Sequence, residues 1–367
     1  MSKYTKDELA VILLDFFDGL EYKHKRAVLS LYDRAGDIFE NVEKAISYVK
    51  NNVSESASLT VKNSLLSSDY AKFVLQKLEK RNITAITYLS GEYPQIFANL
   101  PFCPLVLYAK GNLELLKADK KFAIVGSRKT LPFVLKAGEQ IASDLANAGV
   151  VIVSGSAVGG DRCALLGAMP SGNVISVLAS GHDFLSPQSN RDLIEKIAQN
   201  GLVISEYPPE TQSAPWRFPM RNRLISALAD GVLILSGQED SGTRHTAKFA
   251  EAYSKRLYAI PYSLGERSGE ICNMLIKLGK AHLVENSLDV ANFESITLDT
   301  PKNYDLDDEE MQILMAMEGE TTVDQLCLTL NKKAFEVISI LSMLEIKGVV
   351  ARSTNSSYTP LIKVKNG

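Results

Sequence analysis

Six short apolar runs separated by amphipathic stretches do most to limit what this chain can fold into. They are Phe122-Ala-Ile-Val125, Val150-Val-Ile-Val153, Val174-Ile-Ser-Val-Leu178, Leu202-Val-Ile204, Val232-Leu-Ile-Leu235 and Leu257-Tyr-Ala-Ile260. A strand with no alternating polar face has to be covered on both sides, which calls for a parallel sheet with helices on each face. The stretches between the runs, 135–148, 161–169, 191–199, 221–229 and 243–254, are helix-like and supply that cover. The predicted class is α/β, doubly wound around a mostly parallel sheet.

The flanks differ from this middle. Leu9, Ile12, Leu13, Phe16 and Phe17 recur at three-to-four spacing, and Ala27, Leu29, Leu31 and Tyr32 begin another apolar stretch, so a small helical domain is predicted over 1–80. Within it, the polar, serine-rich segment 51–68 reads as a loop around a short amphipathic piece. The α/β domain follows over 81–300. A polar, acidic linker from Pro301 to Asp308 then leads into a third domain, 301–367. There a helix over 309–317, a helix start at Thr321-Thr-Val-Asp-Gln-Leu326 and a helix over 334–347 precede two strand-like pieces, Val349-Val-Ala-Arg352 and Ser357-Tyr-Thr359. Three helices and a hairpin are a winged-helix layout, which often reads the major groove. From Pro301 to Pro360, however, ten acidic side chains stand against five basic ones, and a DNA reader needs a basic face. Protein contact or packing is the expectation for this domain.

The turns after the strands carry the chemistry, because ligands of open α/β sheets sit beyond the carboxyl ends of strands. After the first run, Gly126 allows a tight turn, Ser127 offers donors and Arg128 adds charge. After the second, Ser154-Gly-Ser-Ala-Val-Gly-Gly-Asp161 lets backbone come close to a ligand ahead of a helix N-terminus, with Asp161 also able to cap that helix. The loop Ser180-Gly-His-Asp-Phe-Leu-Ser-Pro187 carries His182, which has no paired acid or nucleophile and reads as structural. After the fifth run, Ser241, Gly242, Thr243 and Arg244 open a helix with small residues, hydroxyls and a charge that suit a phosphate.

The densest signal is Ala214-Pro-Trp-Arg-Phe-Pro-Met-Arg-Asn-Arg-Leu-Ile-Ser226. Arg217, Arg221 and Arg223 lie beside Trp216 and Phe218, with Asn222 between two arginines, and no acid lies between Gln212 and Arg223. Arginine forks onto phosphate oxygens and exposed rings stack unpaired bases. Pro215 and Pro219 stiffen the segment. Because the net charge is −3, any affinity for nucleic acid has to come from such a local patch.

Read in order, these motifs resemble the DNA-processing protein A family of bacteria (DprA, also called Smf). Gly91-Glu-Tyr-Pro94, Pro104-Leu-Val-Leu-Tyr-Ala-Lys-Gly111, Ala123-Ile-Val-Gly-Ser-Arg128, Val153-Ser-Gly155 and Gly159-Gly-Asp161 come first. Leu178-Ala-Ser-Gly181, Ser205-Glu-Tyr-Pro-Pro209, Phe218-Pro-Met-Arg-Asn-Arg223, Ser241-Gly-Thr243, Tyr258-Ala-Ile-Pro261 and Asn273-Met-Leu-Ile-Lys-Leu-Gly279 follow. The resemblance implies a Rossmann-like domain that dimerises, with a helical (SAM-like) domain before it and a winged helix after it. It also implies binding of single-stranded DNA and loading of the RecA recombinase onto that strand in natural transformation, without enzymatic activity or cofactor. Gly126, Ser127 and Arg128 would line the strand pocket, with Phe218, Arg221, Asn222 and Arg223 as its aromatic and basic part. The chain departs from the family pattern at Val158 (usually arginine), Gly160 (isoleucine), Leu165 (histidine) and Tyr262 (glycine). The front domain has Gly19-Leu-Glu-Tyr-Lys23 in place of a Gly-x-Gly hairpin.

Two rival readings share the Rossmann superfamily: a nucleotide sensor, and a phosphoribohydrolase-like enzyme whose P-G-G-x-G-T-x-x-E motif supplies a catalytic glutamate. In this chain Thr246 occupies the glutamate position, and a hydroxyl cannot replace a carboxylate as general base near neutral pH. Cys103, Cys163, Cys272 and Cys327 form no C-x-x-C pair, which argues against zinc and fits a reducing compartment. No stretch approaches the ~18 apolar residues of a membrane span, and the opening Met1-Ser-Lys-Tyr-Thr-Lys-Asp-Glu8 is unlike a signal peptide. A cytoplasmic protein with no membrane contact is expected.

Overall fold

A computed structural model of the chain describes residues 3–17, 19–299, 306–317, 319–353 and 357–363, so positions 301–305 of the linker lie outside the described residues. Two compact units divide the chain: Met1–Asp119 with Ile175–Leu228, and Lys120–Val174 with Ala229–Gly367. The architecture is mixed α/β with a large, mostly parallel sheet. The strands of the two units are β1 (Thr84–Thr87), β2 (Val106–Gly111), β3 (Lys121–Val125), β4 (Val151–Ser154), β5 (Val174–Val177), β6 (Leu202–Ser205), β7 (Gly231–Ile234), β8 (Arg256–Ala259) and β9 (His282–Leu283).

In the first unit, α1 (Lys6–Phe16) starts at a reciprocal cap. The Thr5 hydroxyl accepts from the Glu8 N–H, and the Glu8 carboxylate accepts from the Thr5 N–H. Its buried run Val11-Ile-Leu-Leu14 shares one core with Val28 of α2 (Tyr22–Leu29), Val49 of α3 (Val42–Asn52), Val61 of α4 (Glu55–Leu66) and Val74 of α5 (Ser68–Lys80). The serine-rich stretch 51–68 is therefore helical rather than a loop. Ser54 caps α4 and Ser67 caps α5, each hydroxyl accepting from an N–H three residues on. These serines are start signals, and packing buries Ser58 and Ser64 despite their polarity.

The strand order in this unit is β1-β2-β6-β5; β5 and β6 are parallel, whereas β1–β2 and β2–β6 are antiparallel. The two antiparallel strands extend the sheet beyond the six anticipated runs. A buried polar cluster joins β2 to the helices. The Tyr108 hydroxyl donates to Asp15 Oδ2 at 2.8 Å, and Lys25 Nζ donates to the Asp15 carbonyl at 2.5 Å. Lys25 Nζ also lies 3.3 Å from Asp15 Oδ1, so removing either Lys25 or Asp15 would leave a buried charge unpaired, a loss of about 3–5 kcal/mol.

In the second unit the order is β4-β3-β7-β8-β9, and every pair is parallel. All residues of β4 and β7 are buried, as are those of β5 and β6 in the first unit. Successive side chains of a strand point to opposite faces, so full burial means cover on both sides. Between the strands run α6 (Pro132–Asn147), α7 (Gly160–Ala168), α8 (Arg191–Asn200), α9 (Arg217–Leu228), α10 (Gly242–Ala252), α11 (Glu270–Lys277) and α12 (Ser287–Glu294).

Towards the C-terminus, β10 (Leu298–Asp299) pairs in parallel with β14 (Ile362–Lys363). Between them lie α13 (Asp308–Met315), β11 (Thr321–Thr322), α14 (Val323–Leu330), α15 (Ala334–Ile346), β12 (Val350–Arg352) and β13 (Ser357–Pro360), with the sheet order β11-β13-β12. The strand β11 adds a third member to the hairpin read from sequence. Gly348, at φ +70°, ends α15 in the left-handed conformation that glycine adopts freely. No helix among the described residues is long and apolar enough to cross a membrane.

Candidate nucleic-acid interface

In the second unit three neighbouring parallel strands end in turns that pack on one another. The backbones at Gly126 and Gly160 touch: a Cβ on Gly160 would sit 2.3 Å from the Gly126 Cα. Gly159, at φ +83°, leaves no room either, since a Cβ there would meet the Ser127 carbonyl at 2.3 Å. This close approach accounts for glycine at 160, where the family pattern has isoleucine. Asp161 is buried and braces the turn, its Oδ1 accepting from the Gly126 N–H at 3.4 Å, while the N-cap position of α7 belongs to Gly159. The turn after β7 supplies Ser236, whose Oγ accepts from the Ser127 N–H at 2.9 Å and lies 2.5 Å from Thr130 Oγ1. Gly126 and Ser127 are thus held firmly, and Arg128 beside them is exposed.

Ser241 caps α10 without a side-chain hydrogen bond, and its Oγ is buried with no partner. Gly242 has open space around it, Thr243 is buried, and Arg244 is exposed with Nη1 3.2 Å from the Glu239 carbonyl. The exposed Glu239 and Asp240 precede this helix start and offset the charge of Arg244. Thr246, where the rival motif has its glutamate, is buried in α10.

In the first unit the loops after β5 and β6 are stitched together. The Gly181 N–H donates to the Thr211 carbonyl at 2.8 Å and the Asp183 N–H to the Pro209 carbonyl at 2.9 Å. His182 Nε2 lies 2.8 Å from the Tyr108 carbonyl, and burial lowers its pKa to about 4, so near pH 7 it is a neutral hydrogen-bonding strut.

The helix α9 begins at Arg217, four residues before the predicted start. Pro219 falls in its first turn, where a missing N–H costs nothing. This earlier start changes where the arginines point. Arg221 and Arg223 are buried rather than solvent-facing. Arg221 Nη1 donates to the Val177 carbonyl at the end of β5, and Arg223 pairs with Glu206, which follows β6. Burial raises the Glu206 carboxyl above its ordinary range, and the Arg223 guanidinium opposes that rise. Arg217, Phe218 and Asn222 are half-buried, and Trp216 is exposed. Glu206 and Ser236 were given no role from sequence. The acid directly following β6 and upstream of an arginine-rich segment is the signal that marks Glu206.

In the second unit the strand ends present glycine-opened backbone and an exposed arginine, and in the first unit an exposed ring precedes the start of α9, which marks a class of α/β protein with anion-suited strand ends. Residues 84–295 match the model of the DNA recombination-mediator protein A family, and the chain belongs to that family. It is 35% identical over 192 residues to the DNA processing protein DprA of Bacillus subtilis, a match covering 52% of this chain and 65% of that protein, just under two thirds. The X-ray structure of DNA processing protein A from Streptococcus pneumoniae superposes with a TM-score of 0.64 at 28% identity, covering 79% of this chain and 98% of the other. The Helicobacter pylori protein, solved for its single-stranded DNA binding mode, gives 0.54 at 34% identity, covering 58% and 95%.

Proposed function

We propose that the protein is a single-stranded DNA-binding recombination mediator that protects incoming strands and loads the RecA recombinase during natural transformation, acting as a cytoplasmic homodimer and not as an enzyme. The observation that carries this reading is the rigid turn of the second unit, with donors at Gly126 and Ser127 beside the exposed Arg128, in a member of this family; the first unit by itself offers the ring of Phe218 and the cation of Arg217. In the second unit phosphates would be met by Arg128 and the Ser241–Arg244 turn; in the first they would be met by Arg217 and Asn222, with a base on Phe218. Arg221 and Arg223 support the first unit's part from behind, by anchoring α9 to the ends of β5 and β6. The single-stranded DNA binding mode of the Helicobacter pylori relative supports a single strand as ligand. The α/β part, 81–300, is taken as the Rossmann-like DNA-binding domain, 1–80 as a SAM-like helical domain and 301–367 as a winged helix.

A fluorescence-anisotropy titration tests it. Single-stranded oligonucleotide should bind much more tightly than duplex, and affinity should fall with added salt as counterions are released. Equal affinity for the two forms would sink the stacking model.

A further inference from the structure

Trp216 is the only tryptophan of the chain, and it is 59% exposed, although so large a ring is usually spent on burial. It is nevertheless held. Its ring meets Tyr207 with centroids 6.5 Å apart and planes at 86°. The Arg217 guanidinium lies 5.1 Å from the Trp216 centroid and 4.8 Å from that of Tyr207, and its Nη1 donates to the Gln212 carbonyl. Arg217 Nε has no hydrogen-bond acceptor, as expected of a guanidinium lying against rings. The footing is firm as well. The Tyr207 N–H donates to Ser205 Oγ at 3.0 Å, Ser205 Oγ donates to the Ser180 carbonyl at 2.7 Å, and the neighbouring Glu206 is clamped by buried Arg223.

We propose that Trp216, held by Arg217 and Tyr207, is a preformed stacking platform for one unpaired nucleobase, separate from the base taken by Phe218. Trp216 precedes α9 and Phe218 lies in its first turn, so the two rings stand at successive points of the chain and are assigned successive bases. Arg217 has two tasks at this subsite: it fixes the indole and places positive charge where the phosphate next to the stacked base would run. Because each ring already sits in one geometry, little conformational freedom is lost on binding. Every base has a π-face, so the platform tolerates any sequence. The proposal rests on the single-strand reading above and adds to it a second base position.

The lone tryptophan makes the test direct in the full-length protein. A labelled oligo(dT) is titrated while anisotropy and intrinsic tryptophan emission are followed together. The emission should be quenched with the same midpoint as the anisotropy change. An oligonucleotide of the same length made of abasic sites should bind more weakly and leave emission near its free value. Trp216→Ala should raise Kd about 5- to 100-fold without moving the melting temperature, and Trp216→Phe should restore most of the affinity. Tight binding with unchanged emission, together with wild-type affinity in Trp216→Ala, would overturn the platform and leave single-strand binding intact. If the wild-type protein gives no anisotropy change with any single strand, the broader reading fails and takes the platform with it.

Discussion

Arginine 128 and arginine 221 illustrate how differently one residue type is used in this molecule. Arg128 is exposed beside a rigid turn, whereas Arg221 is buried with its guanidinium on the Val177 carbonyl. Arg128→Ala should therefore weaken single-strand binding and lower the salt slope by about 0.7, the contribution of one phosphate contact, with the melting curve unchanged. Arg221→Ala should instead lower the melting temperature, by an amount that matches a loss of about 1–3 kcal/mol for the orphaned carbonyl and emptied volume. Differential scanning of both variants beside their DNA titrations separates the two roles. His182 gives a pH signature. Its folded pKa is depressed to about 4 from 6.5, so between these values the unfolded chain binds the proton and the folded chain does not. Stability is thus full above pH 6.5 and is lost as pH falls towards 4, by up to about 3 kcal/mol. His182→Gln keeps a donor for the Tyr108 carbonyl and should flatten the melting temperature against pH over that window.

At the scale of elements, the Gly126–Gly160 contact ties the end of β3 to the start of α7. Gly160→Ala would place a Cβ 2.3 Å from the Gly126 Cα, a backbone neighbour that cannot swing aside. We expect a loss of about 1–3 kcal/mol or more from overpacking, together with weaker single-strand binding because Ser127 and Arg128 must shift with the turn. An alanine variant with wild-type melting and wild-type affinity would show that this turn has slack. Helix α9 carries a related lesson. Its arginines were read as one basic stretch, but Arg221 and Arg223, two positions apart in the helix, turn different ways and are each buried at a different strand end, while Arg217 in the first turn stays half-buried.

For the whole molecule, the net charge of −3 offers no general attraction for DNA, so the proposed binding would rest on a few local cations and should weaken with salt by a slope of about 0.7 for each phosphate contact. The C-terminal segment, 301–367, carries ten acidic side chains against seven basic ones, so its net charge opposes that attraction. On α15 and α14, Phe335, Ile346 and Leu328 are exposed apolar groups, and Lys332 is paired with Glu309 and Lys347 with Glu310. Removing residues 301–367 strips β14 from β10 and should cost some stability, but the remaining chain is expected to fold and to bind single-stranded DNA. A truncated protein that melts cooperatively yet has lost all DNA affinity would make the segment a DNA-contacting element, with Lys333 and Arg352 the first residues to test.

Strand and helix identity across the α/β region was legible in the sequence, because continuous apolar runs and helical spacing are local properties of the chain. So were the glycine turns and the cluster of rings and arginines. The helix α4 was not, since its serines are polar by composition and become caps and packed hydroxyls only once neighbouring helices cover them. Nor could the sequence separate Arg128 from Arg221 and Arg223. All three carry the same fork and charge, and only the tertiary structure sets a carbonyl at Val177 and a carboxylate at Glu206 against two of them. Periodicity records which side chains are apolar. Whether a polar side chain meets water, a ligand or a buried partner depends on groups brought from distant parts of the chain, and that is decided in three dimensions.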